Sequence, residues 1–139
     1  MGRILTIDYG QKRVGIAVTD ILRITANGLT TVPVGQIFEF LTDYFAKEQV
    51  DIVVVGLPKQ MNNQPSESMR FITPFINGFK KRFPAMAIEM YDERFTSVLA
   101  HKAMLDGGLR KKARQDKALV DQISATIILQ SYLESKRQF

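Results

Sequence analysis

Residues 51–56, Asp51-Ile52-Val53-Val54-Val55-Gly56, hold four branched apolar side chains in a row with no polar residue among them. A strand with one wet face alternates apolar and polar residues. An unbroken run marks a strand covered on both faces, as in the parallel sheet of an α/β protein. Just upstream, Ile37, Phe38, Phe40, Leu41, Tyr44 and Phe45 recur at three- and four-residue spacing, which predicts an amphipathic helix over 36–48. A helix feeding a doubly covered strand implies a right-handed crossover and parallel pairing.

The rest of the chain fits around that unit. Residues 3–9 and 13–19 are rich in β-formers and flank the short Gly10-Gln11-Lys12 connection, so they predict a β-hairpin. A third strand is expected at 29–33, with Pro33 confining it to an edge or a strand end. The polar, Pro- and Asn-rich segment 59–66 predicts an exposed loop. A second helix presents Ile72, Phe75, Ile76 and Phe79 on one face and stops before Pro84; a strand follows over 85–91. Thr96 or Ser97 can cap a helix that ends at Gly107-Gly108, and a last helix is expected over 116–135. The order β-β-β-α-β-α-β-α-α describes a single α/β domain over 1–139: a mixed five-stranded sheet with helices on both faces.

Charge and composition narrow the function classes. The chain has no cysteine, which excludes disulfides and thiolate metal sites. Neither a signal segment nor an apolar run long enough for a membrane span is present, so a cytoplasmic protein with no membrane partner is expected. The net charge is +5, and its placement is uneven. Residues 1–93 carry ten basic and ten acidic side chains, whereas 94–139 carry nine basic and four acidic. Much of the excess lies in Arg110, Lys111, Lys112, Arg114 and Lys117, a block that can attract a polyanion or simply face solvent.

Three acidic positions fall where an α/β sheet usually places its chemistry, near the carboxyl ends of strands. Asp8 ends the run Ile4-Leu5-Thr6-Ile7, Asp92-Glu93 follow the last strand, and Asp121 lies one turn into the final helix. Each has an ordinary reading when taken singly. Asp8 can be a turn residue, Asp92-Glu93 a solvated loop, and Asp121 a partner of Lys117 four residues earlier. Converging together, they would repel one another unless a cation intervened, and hard oxygen donors suit Mg²⁺ or Mn²⁺.

Four blocks carry a family resemblance. They are Asp8-Tyr9-Gly10-Gln11-Lys12-Arg13-Val14-Gly15-Ile16-Ala17, then Val54-Val55-Gly56-Leu57-Pro58, then Asp92-Glu93-Arg94-Phe95-Thr96-Ser97, then Lys117 to Asp121 with Ser124-Ala125. In this order they resemble the bacterial pre-16S ribosomal RNA nucleases, also called Holliday-junction-resolvase-like proteins. The resemblance implies a ribonuclease H-like fold and a metal-dependent endonuclease maturing the 5′ end of 16S precursor rRNA. It also implies Asp8, Glu93 and Asp121 as catalytic acids and metal ligands, with Asp92 the weaker choice beside Glu93. Lys12, Arg13, Arg94, Arg110, Lys111, Lys112, Arg114 and Lys117 are the candidate nucleic-acid contacts. The pattern departs from junction resolvases at one point: they carry an acid at the end of the strand beside the first, where this chain has Gly56-Leu57-Pro58. DNA junction resolution, a non-catalytic nucleic-acid-binding module in ribosome assembly or transcription, and nucleotide binding of the actin and sugar-kinase type are the alternatives. The last needs two lobes, and the chain has length for one. Nothing in the sequence sets the oligomeric state.

Overall fold

Tyr9, Gly10 and Arg13 show how the chain starts its sheet. In the computed structural model, which describes residues 2–57, 69–92 and 117–136, β1 (Arg3–Tyr9) turns back into β2 (Arg13–Thr19). Tyr9 pairs with Val14, and the Gly10 N–H donates to the Arg13 carbonyl at 2.9 Å to close the turn. An added Cβ on Gly10 would stand 2.6 Å from that same carbonyl oxygen, so the turn takes glycine. The chain continues through β3 (Ala26–Pro33), a short 3₁₀ turn at Val34–Gln36, α1 (Ile37–Lys47), β4 (Val50–Leu57), α2 (Met69–Arg82), β5 (Ala87–Asp92) and α3 (Lys117–Lys136).

The strands form one five-stranded sheet in the order β3-β2-β1-β4-β5. The β1–β2 and β2–β3 pairs are antiparallel, and the β1–β4 and β4–β5 pairs are parallel. The mixed five-stranded sheet matches expectation, and β1 lies at its centre. The expected strand at 29–33 begins three residues earlier, at Ala26. Ala-Asn-Gly has poor intrinsic strand preference, but Thr19, Val18 and Ala17 of β2 offer it a ladder. The register passes from Ile16↔Thr30 to Ala17↔Gly28, so Leu29 is the extra residue of a bulge.

Alternation along the strands sends side chains to two separate cores. Leu5, Ile7, Val14, Ile16, Val53 and Val55 pack against Ile37 and Leu41 of α1 and Ile72, Phe75, Ile76 and Phe79 of α2. Ile4, Ala17 and Val54 pack against Ala125, Leu129, Tyr132 and Leu133 of α3. The unbroken apolar run of β4 is thereby explained, since Val53 and Val55 face one layer and Val54 the other. Full burial of such side chains contributes about 1.5–3 kcal/mol each. Tyr9 belongs to the α1–α2 side, stacked on Phe75 with ring centroids 4.5 Å apart. Among the described residues no helix is long and apolar enough to cross a membrane.

The position of α3 depends on Gly15. A Cβ there would fall on the carbonyl oxygen of Asp121, so only glycine lets the start of the helix lie directly on β2. The obstructing atom is backbone and cannot swing away like a side-chain tip. Gly15→Ala should therefore push α3 off the sheet, at a cost of about 1–3 kcal/mol as in other overpacked interiors. Thermal unfolding should show Tm lowered by several degrees; an unchanged Tm would mean that the helix can shift freely.

Candidate active site at the carboxyl end of the central strand

Asp8 is the second-last residue of β1 and shares the sheet face of Ile4 and Thr6, beneath α3. Its cross-strand partner is Gly15, the residue on which the Asp121 backbone rests. One glycine thus brings the two acids together, one on the sheet and the other on the first turns of α3. Asp8 is largely withdrawn from solvent, and nothing among the described residues donates a hydrogen bond to its carboxylate. Burial, reinforced by the nearby negative charge of Asp121, pushes its pKa from 3.8 up to about 6.

Asp121 is held differently. Arg13 Nε donates to Asp121 Oδ2 at 2.7 Å, bridging the start of β2 to α3. Both side chains remain partly exposed, at 36% for Arg13 and 27% for Asp121. They border a basin of about 300 Å³ lined also by Gly10, Gln11 and Lys12. The hairpin therefore presents two basic side chains beside the acid pair, a suitable arrangement for an anionic ligand.

Asp92 ends β5 opposite Leu57. Leu57 and Ile88 pack toward α1 and α2, whereas Tyr91 packs toward α3. Strand alternation therefore puts Asp92 on the sheet face away from Asp8 and Asp121. Glu93, Arg94, Arg110, Lys111, Lys112 and Arg114 lie outside the described residues. Lys117 opens α3. At the end of β4, Gly56 pairs with Tyr91 and Leu57 with Asp92, so that strand end supplies no carboxylate.

A second concavity, about 600 Å³, runs beside β5 and the end of α3. Within it the Tyr132 hydroxyl donates to Glu89, and Lys136 Nζ stands 5.3 Å from the Tyr132 ring centroid. Burial and the Glu89 contact hold the Tyr132 phenol well above its usual pKa. A phenol kept protonated and already donating serves packing better than acid–base work.

The acid pair fits a divalent cation on the chemistry of its donors. A largely buried carboxylate with no donor among the described residues, set against a second carboxylate, is unfavourable until positive charge joins it. Carboxylate oxygens are the donors that Mg²⁺ and Mn²⁺ prefer. Among the described residues no group of three or more acidic or histidine side chains that could hold a metal is present. Sequence reasoning selected Asp8 and Asp121 but missed two features beside them. Gly15 interrupts an otherwise β-branched strand, a pattern that often marks a close backbone approach. The Arg13–Asp121 pair spans more than a hundred residues and left no local signal.

Comparison with known proteins gives the acid pair its context. The RuvX family model, described as Holliday junction resolvase, matches residues 2–135. A protein of Phocaeicola vulgatus is 66% identical over 137 residues, covering 99% of both chains, and one of Flavobacterium johnsoniae is 60% identical over the same length and coverage. Both bear the name "Putative pre-16S rRNA nuclease". Among solved structures, Thermus thermophilus RuvC in complex with a Holliday junction substrate superposes with a TM-score of 0.59 at 15% identity, covering 97% of this chain and 96% of that one. That likeness is one of fold, the ribonuclease H-like mixed sheet. With a model match over nearly its whole length and close relatives end to end, the chain belongs to the RuvX family.

Proposed function

We propose that this nuclease is a metal-dependent endonuclease that hydrolyses RNA phosphodiester bonds in the cytoplasm, processing the 5′ end of precursor 16S rRNA. Membership of a family whose relatives are named as nucleases supports the hydrolase class. The observation that carries the mechanism is the largely buried Asp8 carboxylate set against Asp121 at the end of the central strand. In this reading Asp8 and Asp121, joined by Glu93, hold one or two Mg²⁺ or Mn²⁺ ions. Bound there, the metal supplies an activated water and stabilises the leaving 3′ oxygen.

The chain's own residues do the rest. Gly15 lets the α3 backbone settle so that the two acids stand together, and Arg13 restrains the outer one. Lys12 and Arg13 border a basin with room for a phosphate group, and the basic segment 110–117 holds more of the strand by its phosphates. RNA is favoured over a DNA junction for two reasons. The close relatives carry the rRNA name, and β4 ends in Gly56-Leu57 rather than in the acid of junction resolvases. The RuvX description and the RuvC-like fold support junction resolution as the second reading.

Cleavage of a short 16S precursor-like RNA and of a synthetic four-way DNA junction, each with Mn²⁺ or Mg²⁺, separates the two. RNA cutting that EDTA abolishes, and that Asp8→Asn or Asp121→Asn lowers by orders of magnitude, is the expected result. Cutting of the junction alone would favour the second reading, and equal activity in wild type and Asp8→Asn would remove the acid pair from the mechanism. Lys111→Ala with Lys112→Ala should weaken RNA binding at low salt without unfolding the protein. An unchanged affinity would return that block to a solvated surface.

Asp8 also makes a stability prediction whose sign is opposite to that of a salt-bridged acid. Between pH 4 and 6 the folded chain keeps a proton on Asp8 that the unfolded chain has released. Stability therefore falls as pH rises through that window. The shift corresponds to at most about 3 kcal/mol at neutral pH, less after solvent screening. Without added metal, Asp8→Asn should have a higher Tm than wild type at pH 7.5, and the difference should vanish near pH 4. Thermal scans at the two pH values measure this directly, and a lower Tm for the variant at pH 7.5 would contradict the repulsive environment.

A further inference from the structure

Arg13 has two claims on it. Its guanidinium donates through Nε to Asp121, yet the same side chain lines the basin beside Gly10, Gln11 and Lys12. Its backbone is fixed by the hairpin, where its carbonyl accepts from Gly10 N–H and its register partner is Pro33 of β3. Only the side chain is left to move, and at 36% exposure it has room to do so. One nitrogen serves Asp121; among the described residues the two Nη atoms have no partner. A partly exposed ion pair of this kind adds little to stability, so tethering α3 is a weak reason for it.

Charge balance gives a stronger reason. With Asp8 and Asp121 both ionised, Arg13 cancels only half of their charge. Once a divalent cation is bound, the metal takes over as counter-charge to Asp8 and Asp121, and the guanidinium is available to a phosphate in the basin that it borders. We propose that Arg13 is an exchangeable counter-ion, which stands in at Asp121 in the cation-free protein and is released to a substrate phosphate in the adjoining basin when a divalent cation binds. This rests on the reading of Asp8 and Asp121 as metal ligands. It couples metal loading to capture of the nucleic-acid backbone, because neither ligand then competes with the other for positive charge. Arginine suits the exchange: its planar fork pairs with carboxylate and phosphate alike and stays charged at every physiological pH.

The test is a titration of the full chain with Mn²⁺ alone, followed by electron paramagnetic resonance of the free ion, and then steady-state cleavage of RNA. Removing a competing positive charge should strengthen cation binding, so Arg13→Gln should bind Mn²⁺ roughly three- to tenfold more tightly than wild type. Arg13→Lys should stay near wild type, because the charge remains. Lys12→Gln should move Mn²⁺ affinity less, because Lys12 is not paired with Asp121. In cleavage assays at saturating Mn²⁺, Arg13→Gln should raise KM for RNA severalfold, so that affinity for metal and affinity for RNA move in opposite directions. A purely structural tether would weaken both together.

Mn²⁺ affinity that is unchanged or weaker in Arg13→Gln would overturn the counter-ion role, as would an equal gain in Lys12→Gln. An unaltered KM would overturn the release to phosphate. Failure of the underlying reading looks different: wild type would bind no Mn²⁺, or Asp121→Asn would bind it as wild type does. In that case the inference about Arg13 falls with it.

Discussion

The contact between the Asp121 carbonyl and the bare α-carbon of Gly15 decides where α3 lies, and much else follows from that. The helix covers the sheet face carrying Ile4, Ala17 and Val54, and its own Ala125, Leu129, Tyr132 and Leu133 complete that core. Because Gly15 is the cross-strand partner of Asp8, the same approach sets a second carboxylate beside the first. Apolar burial then holds two like charges closer together than they would choose to be. The hydrophobic term is spread over many side chains, whereas the repulsion is confined to one pair, so the fold can sustain it.

The two acids are not equivalent, and the difference comes from their surroundings. Asp8 sits under the helix with no donor among the described residues, and burial raises its pKa to about 6. Asp121 lies nearer solvent with the Arg13 guanidinium on one oxygen. A site of this kind stores electrostatic strain that a cation relieves, which is how a protein can bind a metal through carboxylates without a deep, preformed cage. Arg13 offsets part of that charge and also borders the basin next to it.

Legibility in the sequence followed how local each cause was. The doubly covered β4, the hairpin and the helix over Ile37–Lys47 were readable because alternation, turn chemistry and 3.6-residue spacing act over a few residues. The start of β3 was not, since Ala26, Asn27 and Gly28 pair only because β2 provides a ladder and the Leu29 bulge absorbs the register. Asp8 and Asp121 were readable as candidates from chain position and from the motifs around them. The face on which Asp92 lies, which separates it from that pair, required the pairing of Leu57 with Asp92.

Asp8, with its hairpin and its place at the end of an apolar strand, was determined by the sequence alone, and so was the family, because four motif blocks keep their order along the whole chain. The tertiary structure decided what stands next to Asp8. Gly15 and Asp121, and Arg13 and Asp121, are each separated by more than a hundred residues, and no propensity or period extends so far. Only the packing of α3 on the sheet brings them together, and that packing sets a second carboxylate beside a lone strand-end acid.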